Sequence, residues 1–122
     1  FYPFGLWSEK RTFSFLSSEM ASSLSEIGSQ SAQVITLDEV VKEEPVTLIK
    51  MDIEGAEKEA LKGAEATIRR EKPDLAICVY HKPEDIWQIP LLLADMVSGY
   101  KLYLRHHGDT IMDTVLYAIG QI

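Results

Sequence analysis

The feature that most constrains this chain is a pair of short apolar runs, each leading into a helical pattern. "VTLIKMDI" precedes "EGAEKEALKGAEATIRREK", and "LAICVYH" precedes "PEDIWQIPLLLADMVSG". Both runs are apolar at successive positions, which is the pattern of a strand inside a sheet covered on both faces. In the first helical segment Leu61, Ala64 and Ile68 fall at i, i+3 and i+7, on one face. Glu54 and Glu57 lie in its first turn and Arg69, Arg70 and Lys72 in its last, where each sign suits the helix dipole. Gly63 marks either a break between two short helices or a close packing point. Pro73 ends the helix. In the second segment Pro90 either kinks the helix or begins a second piece at its first turn, and Gly99 is a natural C-terminal cap.

Two strand–helix units imply parallel strands with right-handed crossovers. "YKLYLRHH" is a third strand, with Tyr100, Leu102 and Leu104 alternating against Lys101, Tyr103 and Arg105. "TVLYAIGQ" is a fourth. Their connection, "HHGDTIMD", is short enough for a hairpin, so one of the two is expected to run antiparallel at or near an edge. Upstream the signals weaken. Residues 1–16 read as a β-hairpin or two short strands about the polar Ser8-Glu9-Lys10-Arg11. The serine-rich residues 17–33 read as a loop with at most one weak helical turn. "QVITLDEVV" holds a short strand, then a helical turn with Asp38 suited to its N-cap, closed by Pro45. The expected fold class is α/β, with residues 1–122 forming a single domain.

With 122 residues, such a chain buries roughly two-thirds of its unfolded surface, enough for one core. Its 12 basic and 19 acidic residues leave a net charge of −7. That argues against sequence-independent binding to nucleic acid or to an anionic membrane, both of which need a basic face. No apolar run approaches the roughly 20 residues of a membrane span. No signal peptide is visible, and a cytoplasmic location is expected. Cys78 is alone between Ile77 and Val79, so it is expected to be an inert buried thiol. The chain opens Phe1-Tyr2-Pro3-Phe4 without an initiator Met, so the numbering is expected to start inside a longer protein or after processing.

In open α/β sheets, ligands sit beyond the carboxyl ends of the parallel strands. Asp52, Glu54, Glu57 and His81 fall at or just past such ends. A carboxylate there can act as general base on a hydroxyl or help hold a divalent ion. Gly55 permits close approach of the backbone. The competing reading makes Asp52 a helix cap and gives Glu54 and Glu57 to the helix dipole. It is preferred for Glu57, and the site reading for Asp52 and Glu54. His81 either takes a proton, binds metal, or only fixes the next loop. Asp85 is a helix cap or a site residue, and Trp87 is core or pocket lining. His106 and His107 are adjacent on a strand and so point to opposite faces; no dedicated metal site is expected of them. Ser17, Ser18, Ser22 and Ser23 lack a G-x-S-x-G context, so no hydrolase nucleophile is expected.

Five blocks in order, "VITLDEV", "LIKMDIEGAEKEALKGAEATIRREKPDLAICVYH", "DIWQIP", "YKLYLRHH" and "TVLYAIG", resemble the C-terminal half of an FkbM-type S-adenosylmethionine-dependent methyltransferase. The resemblance runs from about Gly5 to Ile122 and is densest from Thr36 to His81. It implies a partial Rossmann-like methyltransferase sheet, mostly parallel with an antiparallel last strand, preceded by an N-terminal β-hairpin. The strands here would be the fourth to seventh of seven. It implies S-adenosylmethionine as cofactor and a hydroxyl on a small molecule or glycan as acceptor. By the same resemblance Asp52 and His81 are catalytic, Asp52, Glu54 and Gly55 face the cofactor, and Glu57, Asp85, Trp87 and His106 face the acceptor. The sequence departs from the family in one large respect. None of its seven glycines forms a G-x-G turn after a strand, the element that holds the cofactor. The chain alone is therefore expected to be inactive. The fourth strand would normally pair with the first; here "TLIKMDI" is expected to be an exposed apolar edge that drives a homodimer. The alternative is a non-catalytic α/β module that uses that edge to dimerise or bind a partner.

Overall fold

A computed structural model of the chain describes residues 1–17, 22–25, 30–110 and 112–120. The elements in chain order are β1 (Gly5–Leu6), β2 (Arg11–Ser17), β3 (Ser22–Ser25), β4 (Gln30–Ile35), α1 (Leu37–Val41), β5 (Leu48–Met51), α2 (Glu57–Lys62), α3 (Glu65–Glu71), β6 (Asp74–Cys78), α4 (Asp85–Met96), β7 (Lys101–His106) and β8 (Thr114–Ile119). They form two four-stranded sheets, ordered β1-β4-β2-β3 and β5-β6-β8-β7.

In the second sheet β5 and β6 are parallel, and β8 is antiparallel to both of its neighbours. Strands β5, β6 and β7 therefore point one way and β8 the other. This is the mostly parallel sheet with an antiparallel last strand that the sequence implies. The antiparallel strand lies next to the edge, as expected, and β7 takes the edge itself. The register explains the core. Ile49, Leu75 and Ala118 align in one row, and Met51, Ile77 and Leu116 in the next. These rows meet Leu61, Ala64 and Ile68 from α2 and α3, and Ile89, Leu93 and Met96 from α4. Each fully buried Leu or Ile stabilises the fold by about 1.5–3 kcal/mol.

That core lies on one face of the sheet. In β5 Ile49 and Met51 are buried while Leu48 and Lys50 are exposed. The apolar run thus does not mark a strand covered on both faces, as its composition suggests. All six residues of β7 are exposed as well, so its alternation does not sort into a buried and a wet face. Among the described residues, no helix is long and apolar enough to cross a membrane.

Both readings of Gly63 hold. α2 ends at Lys62 and α3 begins at Glu65, so the pattern is two helices. A Cβ on Gly63 would lie 2.0 Å from the carbonyl oxygen of Trp7, so the N-terminal segment crosses at van der Waals distance only because no side chain is there. Asp38 has a different task from the one its position suggests. Thr36 caps α1, its hydroxyl accepting from the Glu39 N–H at 3.1 Å. The Asp38 carboxylate instead accepts from the N–H groups of Ala66 (3.1 Å) and Thr67 (2.8 Å), so it caps α3 across the fold. Pro90 lies inside one continuous helix, α4, and starts no second piece. The cap of α4 is Val97; Gly99 follows in a left-handed turn at φ +99°.

The N-terminal region differs most from expectation. β1 and β2 do not pair as a hairpin. β1 runs parallel to β4, and β2 lies antiparallel between β4 and β3. The serine-rich stretch contributes β3 and the start of β4 where a loop is expected. Serine has little strand preference of its own, and pairing across the sheet overrides it. Residues 18–21 and 26–29 of the stretch read as a loop with at most one weak helical turn lie outside the described residues.

Candidate functional site at the carboxyl ends of β5 and β6

β5 and β6 run side by side with Met51 opposite Ile77, so the residues that follow each strand emerge together. After β5 the chain turns sharply. Glu54 and Gly55 both adopt left-handed backbone angles, φ 56° and 90°. Glycine takes that conformation freely, while a residue with a Cβ does so at a cost of roughly 1–2 kcal/mol. The turn is tied by the Ala56 N–H donating to the Ile53 carbonyl at 3.2 Å. It is tied again by the Ile53 N–H donating to Glu57 Oε1 at 2.8 Å. The turn therefore folds Glu57, the first residue of α2, inward beneath the strand ends. Glu57 is fully buried.

His81 leaves the end of β6 directly above it. Its Nδ1 lies 2.9 Å from Glu57 Oε1, and its Nε2 lies 3.4 Å from Asp52 Oδ1 and 3.7 Å from Glu54 Oε2. The Nδ1–Oε1 pair is close but not aligned as a hydrogen bond, and His81 Nδ1 and Glu57 Oε2 are both buried without hydrogen-bond partners. The Tyr80 hydroxyl donates to Asp52 Oδ1 at 3.0 Å, and the Tyr80 and His81 rings are 4.2 Å apart. Lys50 approaches Asp52 Oδ2 at 3.9 Å from the open face of the sheet. Burial and the Asp52 carboxylate together push the Tyr80 phenol up to about 12. Burial and the same carboxylate push the Cys78 thiol up to about 11, so Cys78 is the inert buried thiol its neighbours suggest.

Three of the residues singled out in the sequence, Asp52, Glu54 and His81, thus meet at one partly exposed rim. Glu57 joins them from below, buried, where it contacts His81 and no solvent. Gly55 does give a close approach, but Lys82 takes it. A Cβ on Gly55 would lie 2.9 Å from Lys82 Cε, and the Lys82 ammonium donates to the Gly55 carbonyl. Asp52 does not cap α2, whose N-cap is Ala56 with no side-chain bond. Asp85 is buried at the start of α4, with Oδ2 unpartnered. Burial raises its carboxyl above the ordinary value against the pull of Lys82, and Glu57 and Glu84 raise it further. Trp87 is 53% exposed on α4 and so is not core. His106 stays apart. It lies on β7, separated from β6 by β8, or about 10 Å at the usual strand spacing, and its Nδ1 meets Thr114 Oγ1 at 2.9 Å. Sequence reasoning missed Tyr80 and Lys82. The signal was their place either side of His81 at a strand end.

The rim offers a carboxylate that is 39% exposed, with a phenol and an imidazole holding it. Such a group can accept a proton from a hydroxyl brought to it. The chain is similar to proteins that fit this placement. The model of the "Methyltransferase FkbM domain" matches residues 5–111. A solved structure, Methyltransferase FkbM from Methylobacillus flagellatus KT, is similar at 31% identity with a TM-score of 0.78. The similarity covers 96% of this chain and 27% of that one, so this chain spans about a quarter of the length of the protein it matches. No curated protein matches it. A match over most of the sequence, joined to the same fold in a solved member, places the chain in the FkbM methyltransferase domain family.

Proposed function

We propose that this chain supplies the acceptor-side rim of an S-adenosylmethionine-dependent methyltransferase acting on a hydroxyl group. The observation that carries the reading is the meeting of Asp52, Glu54 and His81 at the carboxyl ends of two parallel strands, where ligands of open α/β sheets sit. Asp52 takes the acceptor's proton. The Tyr80 hydroxyl and the His81 ring orient its carboxylate, and Glu57 holds the ring from beneath. The hydroxyl belongs to a small molecule or a glycan. When bound, S-adenosylmethionine supplies the methyl group. The described residues do not by themselves fit that cofactor, because among them no strand leads into a glycine-rich turn. The donor cradle belongs to another segment, and these 122 residues alone are inactive.

Calorimetric titration of this chain with S-adenosylmethionine tests the second half of the proposal. Binding that is absent or millimolar is expected; saturable submicromolar binding overturns it. Reading the DNA upstream tests the first half. A frame that runs on through a glycine-rich strand-turn segment is expected. In that longer enzyme Asp52→Asn lowers turnover by roughly a hundredfold or more with the fold intact. Unchanged turnover removes Asp52 from the chemistry.

A second reading draws on the edge of the sheet. Among the described residues β5 pairs with β6 alone, and Leu48 on it is 63% exposed. Such edges pair with other chains, which supports a homodimer formed through β5. A monomer by light scattering at micromolar concentration overturns it. The unpaired Cys78 suits a cytoplasmic location for either reading.

A further inference from the structure

We propose that Asp52, Glu57 and His81 bind one divalent transition-metal ion of the manganese or zinc class. Each offers one ligand atom, and these atoms lie within 4.8 Å of one another, the one such group of three among the described residues. Spacing alone would not make a site. The second observation is the state of the two buried members. Glu57 is fully buried, and its Oε2 has no hydrogen-bond partner. The His81 side chain is 10% exposed, and its Nδ1 likewise has none. Buried carboxylates are ordinarily paired or coordinate a metal.

The contact between the two is informative. Nδ1 and Glu57 Oε1 are 2.9 Å apart without the alignment of a hydrogen bond. Neighbouring octahedral ligands at about 2.1 Å from an ion lie roughly 3 Å from each other. Two atoms at that spacing, not aimed at each other, suit a shared third point. Neither nearby ammonium fills it. Lys82 donates to the Gly55 carbonyl, and Lys50 meets Asp52 from the open face of the sheet, at 3.9 Å. Asp52, 39% exposed at the rim, supplies the third ligand atom beside the buried pair. One imidazole among carboxylates favours Mn²⁺ or Zn²⁺ over Mg²⁺ or Ca²⁺, which prefer oxygen alone.

The site shares its rim with the proposed methyl transfer, yet cation binding does not require that reading. It is tested by binding alone, so the failure of one leaves the other standing. The chain, stripped with chelator, is titrated with Mn²⁺ and Zn²⁺ by calorimetry and followed by Mn²⁺ paramagnetic resonance. One equivalent is expected, with micromolar affinity for at least one of the two ions and at least about tenfold weaker binding of Mg²⁺. Glu57→Gln and His81→Gln each weaken it about tenfold or more. Because a change at buried Glu57 can perturb folding, the exposed Asp52→Asn is the second variant and is expected to show a comparable loss. A chain changed at both His106→Gln and His107→Gln binds as before. The proposal is overturned by no saturable binding below a millimolar, by equal affinity for Mg²⁺, or by binding that depends on His106 and His107 and ignores Asp52.

Discussion

Replacing Gly63 by alanine separates two effects that usually travel together at a glycine. Its backbone sits at φ −74° and ψ −1°, so any residue can adopt its conformation. On helix preference alone Gly63→Ala should gain up to about 1 kcal/mol. The surroundings forbid it. The new methyl would lie 2.0 Å from the Trp7 carbonyl oxygen, 3.0 Å from its carbon and 3.3 Å from Ser8 Cα. These are backbone atoms, and they are held. The Trp7 N–H donates to the Ile35 carbonyl at 3.0 Å, and the Trp7 ring packs edge-on to Phe13 at 5.0 Å. Relief therefore needs more than an ångström of movement, either of the α2–α3 junction or of the strand entry at Trp7. Overpacking of this kind costs about 1–3 kcal/mol. Taking the upper end and offsetting the helix preference leaves a net loss of about 2 kcal/mol. That corresponds to a fall of roughly 6–10 °C in Tm for a domain of this size. Urea unfolding followed by circular dichroism, with a common slope for both proteins, measures it. Gly99→Ala is the control. Gly99 is at φ +99° with no atom within 4 Å of its would-be Cβ, so its cost is conformational only, about 1 kcal/mol. A Gly63→Ala chain as stable as the parent, or less affected than Gly99→Ala, would refute the close approach.

Removing the Asp38 carboxylate as Asp38→Ala should cost about 1–2 kcal/mol, because two N–H groups of α3 lose their acceptor; Asp38→Asn should cost less. A urea midpoint unmoved by Asp38→Ala contradicts the capping role. The Tyr100 phenol donates to the Pro73 carbonyl at 2.6 Å and is pushed up to about 12 by burial and then by Asp74. Its ordinary value is about 10. The unfolded chain therefore gives up this proton first, so the stabilisation is whole below about pH 10 and is lost as pH climbs towards 12. Tyr100→Phe should flatten the alkaline decline in urea midpoint; an unchanged decline rules the phenol out. Ultraviolet titration should find Tyr80 deprotonating late, near 12, and earlier in Asp52→Asn, since that carboxylate opposes the phenolate. No shift on Asp52→Asn disproves the contact. Thiol reagents at mildly alkaline pH should label Cys78 far more slowly in the native chain than in urea, and equal rates would show the thiol open to solvent.

What the sequence made legible is what local pattern can carry. The stripe of Leu61, Ala64 and Ile68, the stop at Pro73 and the apolar runs of β5 and β6 are short-range signals, and the elements they mark are present. What it hid depends on partners far along the chain. β1 pairs with β4, Gly5 opposite Val34. Ser22–Ser25 is a strand only because β2 lies beside it. Asp38 caps a helix 28 residues later. The site divides the same way. Asp52, Glu54 and His81 were visible as polar residues ending apolar strands. Glu57 read as a surface charge at a helix start, since nothing in "DIEGAE" announces that the left-handed Glu54–Gly55 turn carries it inside. Tyr80 and Lys82 gain meaning only once the β5 turn lies beside the end of β6.

The place of β8 bears on how the chain is made. It follows β7 in sequence yet lies between β6 and β7 in space. During synthesis, β6 and β7 are both made before the strand that joins them exists. β7 can have no partner in the sheet until Thr114–Ile119 arrives, and until then β6 shows a bare flank beside β5. The sheet thus closes by insertion rather than by addition at its rim. A chain interrupted just before Thr114 should fail as a whole and not merely lose an edge, and premature stops there should yield aggregates rather than a shorter folded protein.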